Sequence, residues 1–248
     1  MIIAEIGLNH MGIEPYAEYY VNQLLETPVD AITFQIREPD FYLRKERKAF
    51  VLDIELYHKL SHKVKRQGKS FGLALSDISL LSDLDKSVDF YKILSKDFNN
   101  AFIKEFTQTT EKPIFVSTGL SSLENIRLLT GQISPENNAR ISLIHTQLSH
   151  DISDVNLNSI LKLRDLTRNS VSFGNHCEDA RVCFMSLPYK PHSIFVYVKG
   201  NENLEYPDNE HALQLSDFGI FCEDMKKLMN AIGDGDKKEM TNQIRGQK

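Results

Sequence analysis

Phe90-Tyr91-Lys92-Ile93-Leu94 is the stretch on which the reading of the fold turns. Five residues of this character are too few for a helix and suit a strand buried on both faces, where strict alternation is not expected. The lysine is the anomaly, because a lone ammonium inside such a strand is costly to bury. Seven further runs of the same kind lie outward from it, at residues 2–6, 31–34 and 71–75 before it and 114–117, 141–145, 171–173 and 194–198 after it. Between these runs the apolar period lengthens to that of helices, over 16–25, 54–66, 121–129, 156–167 and 216–232, the last with Ser216-Asp217 at a capping position. Eight buried runs interleaved with helices predict an α/β fold, a (β/α)8 TIM barrel in a single domain. The barrel is expected over residues 1–235, with a polar, frayed C-terminal tail over 236–248.

The bulk properties agree with this. A chain of 248 residues matches one such barrel. With 41% hydrophobic and 25% charged residues it can build a sizeable core. A formal net charge of −5 gives no nucleic-acid-binding surface, and Arg44-Lys45-Glu46-Arg47-Lys48, interrupted by an acid, reads as a solvated loop. The three cysteines, Cys177, Cys183 and Cys222, form neither a disulfide framework nor a ligand pattern. An acid at Glu5 comes too early for a signal peptide, and no run approaches the roughly 20 apolar residues of a membrane span. The expectation is a cytoplasmic protein with neither membrane nor nucleic acid among its partners. No G-x-G-x-x-G follows the first strand and no P-loop is present, so nucleotide-binding α/β folds lose their main support.

In a barrel, function sits where strands end and βα loops begin. Those ends carry Glu5, Asn9 and His10; Gln35 and Arg37; Ser76 and Asp77; Ser95, Lys96 and Asp97; Ser117 and Thr118; His145; Asn175 and His176; and Lys199. Lys92 is the sharpest signal among the interior positions. An inward lysine near a strand's carboxyl end can meet a ligand carboxylate or phosphate, or act as a base or Schiff-base former. The alternative is a stem packed inside with its head in water. Ser117-Thr118-Gly119 offers either an anion-binding nest or a plain strand-to-helix turn. A metal site needs about three converging ligands, and no short spacing among His10, His145 and His176 guarantees that. Cys177 beside His176 points to the opposite face if both continue a strand.

The order of these segments resembles the N-acetylneuraminate (sialic acid) synthase family, including its legionaminic and pseudaminic acid relatives. Ile3-Ala4-Glu5-Ile6-Gly7-Leu8-Asn9-His10-Met11-Gly12 is similar to that family's opening I-A-E-I-G-x-N-H-x-G. Asp30-Ala31-Ile32-Thr33-Phe34-Gln35 resembles D-A-V-K-F-Q, and Lys92-Ile93-Leu94-Ser95 with Asn99-Asn100 resembles K-I-x-S and its trailing asparagines. Lys112-Pro113 through Ser117-Thr118-Gly119-Leu120-Ser121 resembles K-P-x-x-x-S-T-G-M-x-S, and Leu143-Ile144-His145 the L-L-H-C strand end. The order holds from Ile3 to about Leu215. The resemblance implies a barrel that condenses phosphoenolpyruvate with an N-acetylated amino sugar, using Mn2+ or Mg2+, and it allows a homodimer. It puts Lys92, Ser95 and Ser117, with Thr118 beside them, at positions that hold phosphoenolpyruvate. Glu5, Asn9, Gln35 and Arg37 fall at or beside active-site polar positions, His176 at a metal ligand and Asp208 at a sugar-hydroxyl contact, with Glu5, Lys92 and Asp208 as the catalytic set.

The departures are as informative. The lysine of K-F-Q is Thr33, removing one cationic clamp, although Arg37 stands nearby to replace its charge. S-T-P-F-D reads Leu73-Ala74-Leu75-Ser76-Asp77, S-D-H-T reads Gly174-Asn175-His176-Cys177, and the tyrosine of Y-P-T-P is His150. I-E-K-H-F reads Ile194-Phe195-Val196-Tyr197-Val198, so Tyr197 stands at the second metal histidine, which His145 or His10 would have to replace. No counterpart of the family's C-terminal antifreeze-like domain is expected. Two functions follow: a divergent carbohydrate-biosynthetic synthase, or a catalytically silent barrel that binds a ligand or partner. Each lost clamp is worth a few kcal/mol of transition-state stabilisation.

Overall fold

Strands buried on both faces need helices outside and side chains within, and the chain supplies both. A computed structural model describes residues 1–201 and 204–237. Strands β1 (Ile2–Gly7), β2 (Ala31–Ile36), β3 (Ser70–Leu75), β4 (Phe90–Ile93), β5 (Ile114–Ser117), β6 (Ile141–His145), β7 (Ser170–Gly174) and β8 (Ile194–Lys199) pair in chain order. All the pairings are parallel, and β1 closes on β8 through Ile2↔Ile194 to Glu5↔Tyr197. The result is the expected (β/α)8 barrel. A helix follows each strand: Glu14–Leu25, Ile54–Arg66, Leu81–Leu84, Asn100–Thr109, Leu123–Thr130, Ser159–Thr167, Arg181–Ser186 and Leu215–Ile232. Asp53, Asn99 and Ser122 cap three of them by accepting from Glu55, Phe102 and Asn125 backbone N–H groups.

The final helix corrects the expected cap. It begins at Leu215 with Gln214 as N-cap and no side-chain cap bond, so Ser216 lies inside the first turn. The reason is a short strand, β9 (Leu213–Gln214), which pairs in parallel with Val198 and Lys199 of β8 and holds the chain extended up to the helix. That helix ends at Ile232, before Gly233. Of the tail expected over 236–248, residues 238–248 lie outside the described residues. No helix of the described residues is long and apolar enough to cross a membrane.

Two apolar clusters make the core. The larger fills the layer between strands and helices and includes Ile2, Ala4, Ile6, Tyr20, Leu24, Phe71 and Phe218. The smaller, Ile3, Ala31, Phe90, Phe115, Ile144 and Phe195, plugs the barrel interior. Its rings meet edge to face, Phe90 on Phe115 at 5.2 Å and Phe115 on Phe195 at 5.1 Å. Gly72 on β3 is required by this plug, since a Cβ there would lie 2.3 Å from Phe90 Cε2. Side chains two residues apart on a strand share a face. One step above Ile3, Phe90, Phe115 and Phe195 therefore stand Glu5, Lys92, Ser117 and Tyr197, a polar layer over an aromatic floor.

Gly72→Ala should lower the unfolding free energy by about 1–3 kcal/mol, the usual cost of overpacking a filled core. Urea denaturation reads this directly, and an unchanged midpoint would show that Phe90 yields without cost.

Candidate active site at the barrel mouth

Lys92 meets a carboxylate that belongs to the protein itself. Its Nζ donates to Glu5 Oε1, and the two side chains are only 4% and 3% exposed. The ammonium also lies 5.2 Å from the Phe195 ring centroid and 5.4 Å from that of Tyr197. Its head therefore does not reach water, which removes the reading of a packed stem with a solvated end. The charge is held by one carboxylate and two aromatic faces.

Around this centre the mouth carries a chain of charges. Arg37 donates through Nε and Nη2 to both oxygens of Glu38, at 3.0 and 3.2 Å, and its guanidinium lies 4.2 Å from the centroid of the Phe41 ring. Lys96 bridges Glu38 Oε2 at 2.9 Å and Asp97 Oδ1 at 2.6 Å, and Ser76 Oγ donates to Asp97 Oδ2 at 2.7 Å. Partial burial disfavours the charged Glu38, but hydrogen bonds from Arg37 and Lys96 outweigh it and bring its pKa down to about 2. The ends of β2, β3 and β4 are thus cross-linked, and Arg37 has a protein partner in place of a free guanidinium. Thr33 is buried at the position of the missing lysine.

At β4 and β5, Gly119 N donates to Ser95 Oγ at 3.1 Å, and Ser117 is buried beside them. Thr118 turns its hydroxyl away, donating to Ile144 O at 2.9 Å. Gln35 is half-buried at the end of β2. Asn9 is engaged through both amide atoms: Nδ2 donates to Val198 O at 2.8 Å, and Oδ1 accepts from Asp208 N at 3.1 Å. It is the clip that places Asp208 over the mouth. Gly7 (φ +56) makes room for that carboxyl, since a Cβ would lie 2.8 Å from Asp208 Oδ2 and 3.0 Å from Tyr197 Cε1. Burial first, and then repulsion from Glu5, raise the Asp208 pKa to about 7.

The histidines separate into two groups. His10 Nδ1 accepts from Gly12 N at 3.0 Å, and burial lowers its pKa to about 4. His145 faces outward, with Nε2 2.9 Å from Val155 O. Neither joins His176. His176 instead stands with two histidines that sequence reasoning did not assign, His211 at 4.7 Å and, beyond it, His150 at 5.3 Å from His211, between ring centroids. His211 packs edge-on against Tyr197 at 4.7 Å. Its only sequence signal is its position three residues after Asp208. Burial, then the neighbouring His150 and Lys92, lower the His211 pKa to about 3.

These donors also test the divalent cation that the resemblance implies. Tyr197 is no anionic substitute for a histidine, because burial and the nearby Glu5 and Asp208 carboxylates keep its phenol protonated. Among the described residues no group of three or more histidine, cysteine, aspartate or glutamate side chains is set to hold a metal ion. What the site does offer is a pair of imidazoles, one of them with buried nitrogens that have no hydrogen-bond partner among the described residues.

Fold and site together define a (β/α)8-barrel protein with a sealed ion pair at the carboxyl ends of its strands, ringed by hydroxyls, carboxylates and imidazoles. The chain belongs to the NeuB family, whose model matches residues 18–237. It is 23% identical over 266 residues to the N,N'-diacetyllegionaminic acid synthase of Campylobacter jejuni subsp. jejuni serotype O:2, covering 96% of this chain and 79% of that protein. It is 22% identical over 272 residues to a pseudaminic acid synthase of Campylobacter jejuni subsp. jejuni serotype O:23/36, covering 98% and 79%. The crystal structure of N-acetylneuraminic acid (sialic acid) synthetase from Leptospira borgpetersenii serovar Hardjo-bovis in complex with citrate superposes with a TM-score of 0.87. That match has 20% identity over 97% of this chain and 87% of the other.

Lys92→Met alone should destabilise the fold by about 3–5 kcal/mol, because it strands the Glu5 carboxylate, and Glu5→Gln combined with Lys92→Met should recover much of that in urea denaturation. Asp208 gives a second test. Its folded pKa is raised above the ordinary 3.8, so its contribution to stability is complete below that value and is lost as pH climbs through about 7. Asp208→Asn should therefore gain stability relative to the parent between about pH 4 and about pH 8, on the order of a few kcal/mol. Parallel stability curves for the two proteins would refute the raised pKa.

Proposed function

We propose that this chain is a divergent synthase of nonulosonic or related surface carbohydrates, joining phosphoenolpyruvate to an N-acetylated amino sugar. The observation that carries the reading is the Lys92 ammonium at the barrel axis, with Ser95, Gly119 N–H and Ser117 one strand away. An enolpyruvyl carboxylate or phosphate entering the mouth shares Lys92 with Glu5 and takes hydrogen bonds from the Ser95 and Ser117 hydroxyls, the first held in place by Gly119 N–H. Gln35, and Arg37 with Lys96, extend the polar rim on the β2 side. Asp208, close to half-protonated at neutral pH, gives a proton to the sugar's carbonyl oxygen as the carbon–carbon bond forms, or orients a sugar hydroxyl. A divalent cation held at His176 would supply Lewis-acid polarisation of that same carbonyl. The three unpaired thiols, all buried, support a cytoplasmic setting.

One observation favours the silent reading. Lys92 and Arg37 are each already neutralised by a protein carboxylate, Glu5 and Glu38, which is how a barrel that only stabilises itself would be arranged. Phosphate release from phosphoenolpyruvate, followed with Mn2+ and a panel of N-acetylated hexosamines, separates the two. A synthase releases phosphate with one of these sugars, and Lys92→Ala lowers the rate by about a hundredfold or more. Arg37→Ala is expected to weaken phosphoenolpyruvate binding about tenfold. Binding without release supports the silent barrel, and neither binding nor release rejects both uses of this ligand.

A further inference from the structure

A second cavity lies between the loops that follow β2 and β3 and the first turn of helix Ile54–Arg66. Its volume is about 360 Å³, within the range of small-molecule sites. The walls are mostly apolar, with Ile36, Leu52, Ile54 and Leu80 among them. None of Glu5, Lys92, Ser95, Ser117 and Asp208 lines it, so it is a different space from the barrel mouth.

Four polar side chains interrupt that lining: Arg37, Tyr42, Tyr57 and Asp77. Tyr42 Oη accepts from Arg37 N at 3.0 Å, which leaves its own O–H to donate. Tyr57 is 3% exposed, and burial first, then the nearby Tyr42, keep its phenol protonated. Arg37 binds Glu38 through Nε and Nη2, so Nη1 is left over. Among the described residues neither phenol O–H nor Arg37 Nη1 donates a hydrogen bond. Donors facing an apolar cavity without an acceptor call for a ligand oxygen. Asp77 brings the opposite charge. Its Oδ1 accepts from Ser79 N and Oγ at 3.1 and 2.6 Å, and Oδ2 is not so held. Ile36 pairs with Leu75, so Arg37 and Asp77 follow the ends of neighbouring strands, which lie about 4.8 Å apart. A cation and an anion thus enter one small cavity side by side.

We propose that this cavity binds an α-amino acid with an apolar side chain. The carboxylate takes hydrogen bonds from Arg37 Nη1 and the two phenols, the ammonium pairs with Asp77 Oδ2, and the side chain packs on Leu52, Ile54 and Leu80. A zwitterion matches both charges at once. A bare acid would set an anion against Asp77, and a bare amine would leave the three donors unused. Arg37 also holds Glu38, which holds Lys96 at 2.9 Å, so the occupant touches the chain of charges that runs along the mouth. The site goes beyond the synthase reading and does not depend on it.

L-Phenylalanine and L-leucine are the probes, titrated into the full chain by calorimetry. Phenylacetate and 2-phenylethylamine are the arms that lack the ammonium and the carboxylate. One amino acid should bind per chain, and each truncated analogue at least about tenfold more weakly than L-phenylalanine. Asp77→Asn should weaken binding about tenfold and Tyr57→Phe about three- to tenfold. Val51→Trp, at an exposed position on the cavity wall, should fill the space and block binding. Asp208→Asn, in the mouth, and His62→Gln, exposed on helix Ile54–Arg66, should leave it unchanged, and circular dichroism confirms that each variant is folded. No binding of either amino acid by the parent, phenylacetate bound as tightly as L-phenylalanine, or full binding by folded Val51→Trp overturns the site. Loss of binding in Asp208→Asn also overturns it, by putting the ligand in the barrel mouth.

Discussion

A lysine and a glutamate facing each other inside a closed barrel set the terms for everything around them. Neither charge can lose its partner at this depth without a large penalty, so the ion pair ties together β1 and β4, two strands that are not neighbours in the sheet. The pair cannot be hydrated from below, because Phe90, Phe115 and Phe195 close the floor. Nearby, Gly7 leaves the space that the Asp208 carboxyl enters. The pull of Lys92 on its neighbours is electrostatic. Burial and then a neighbouring imidazole do most to lower the proton affinity of His176 and His211; Lys92 adds to this and partly offsets the rise in that of Asp208. One buried ammonium therefore organises acid, imidazole and phenol into a single coupled site.

The fold was legible in the sequence for a plain reason. Strands covered on both faces carry continuous apolar runs, and such runs stand out against the longer period of helices. Positions 114–117 and 141–145 agree with the observed strands end for end. The start of the last helix is not legible, because the two-residue strand β9 before it depends on a pairing with β8 that no local signal announces. Helices Asn100–Thr109 and Arg181–Ser186 lie outside the stretches that the apolar period marks, the second being only six residues long.

The candidate site was legible in part. Lys92 declared itself as a charge out of place, but its partner lies 87 positions earlier, and only closure of the barrel brings them together. Asn9 and Thr118 stand at the strand ends as expected, with side-chain groups engaged in holding loops and strands. His10 and His145, raised as replacements for a missing ligand, each hold a backbone group instead, His10 through Nδ1 and His145 through Nε2. His211 was missed because it arrives from a loop, where no period marks which way a side chain faces.

Tyr197 carries a consequence for how this barrel can change. Its ring touches Gly7, His176, His211 and Lys92 at once, so it acts as a spacer as much as a functional group. Restoring a histidine there would leave a gap beside the ammonium and set a third imidazole against two that are already hard to protonate. Position 197 is therefore coupled to its surroundings by epistasis: the effect of a replacement there depends on which side chains stand around it, His176 and His211 above all.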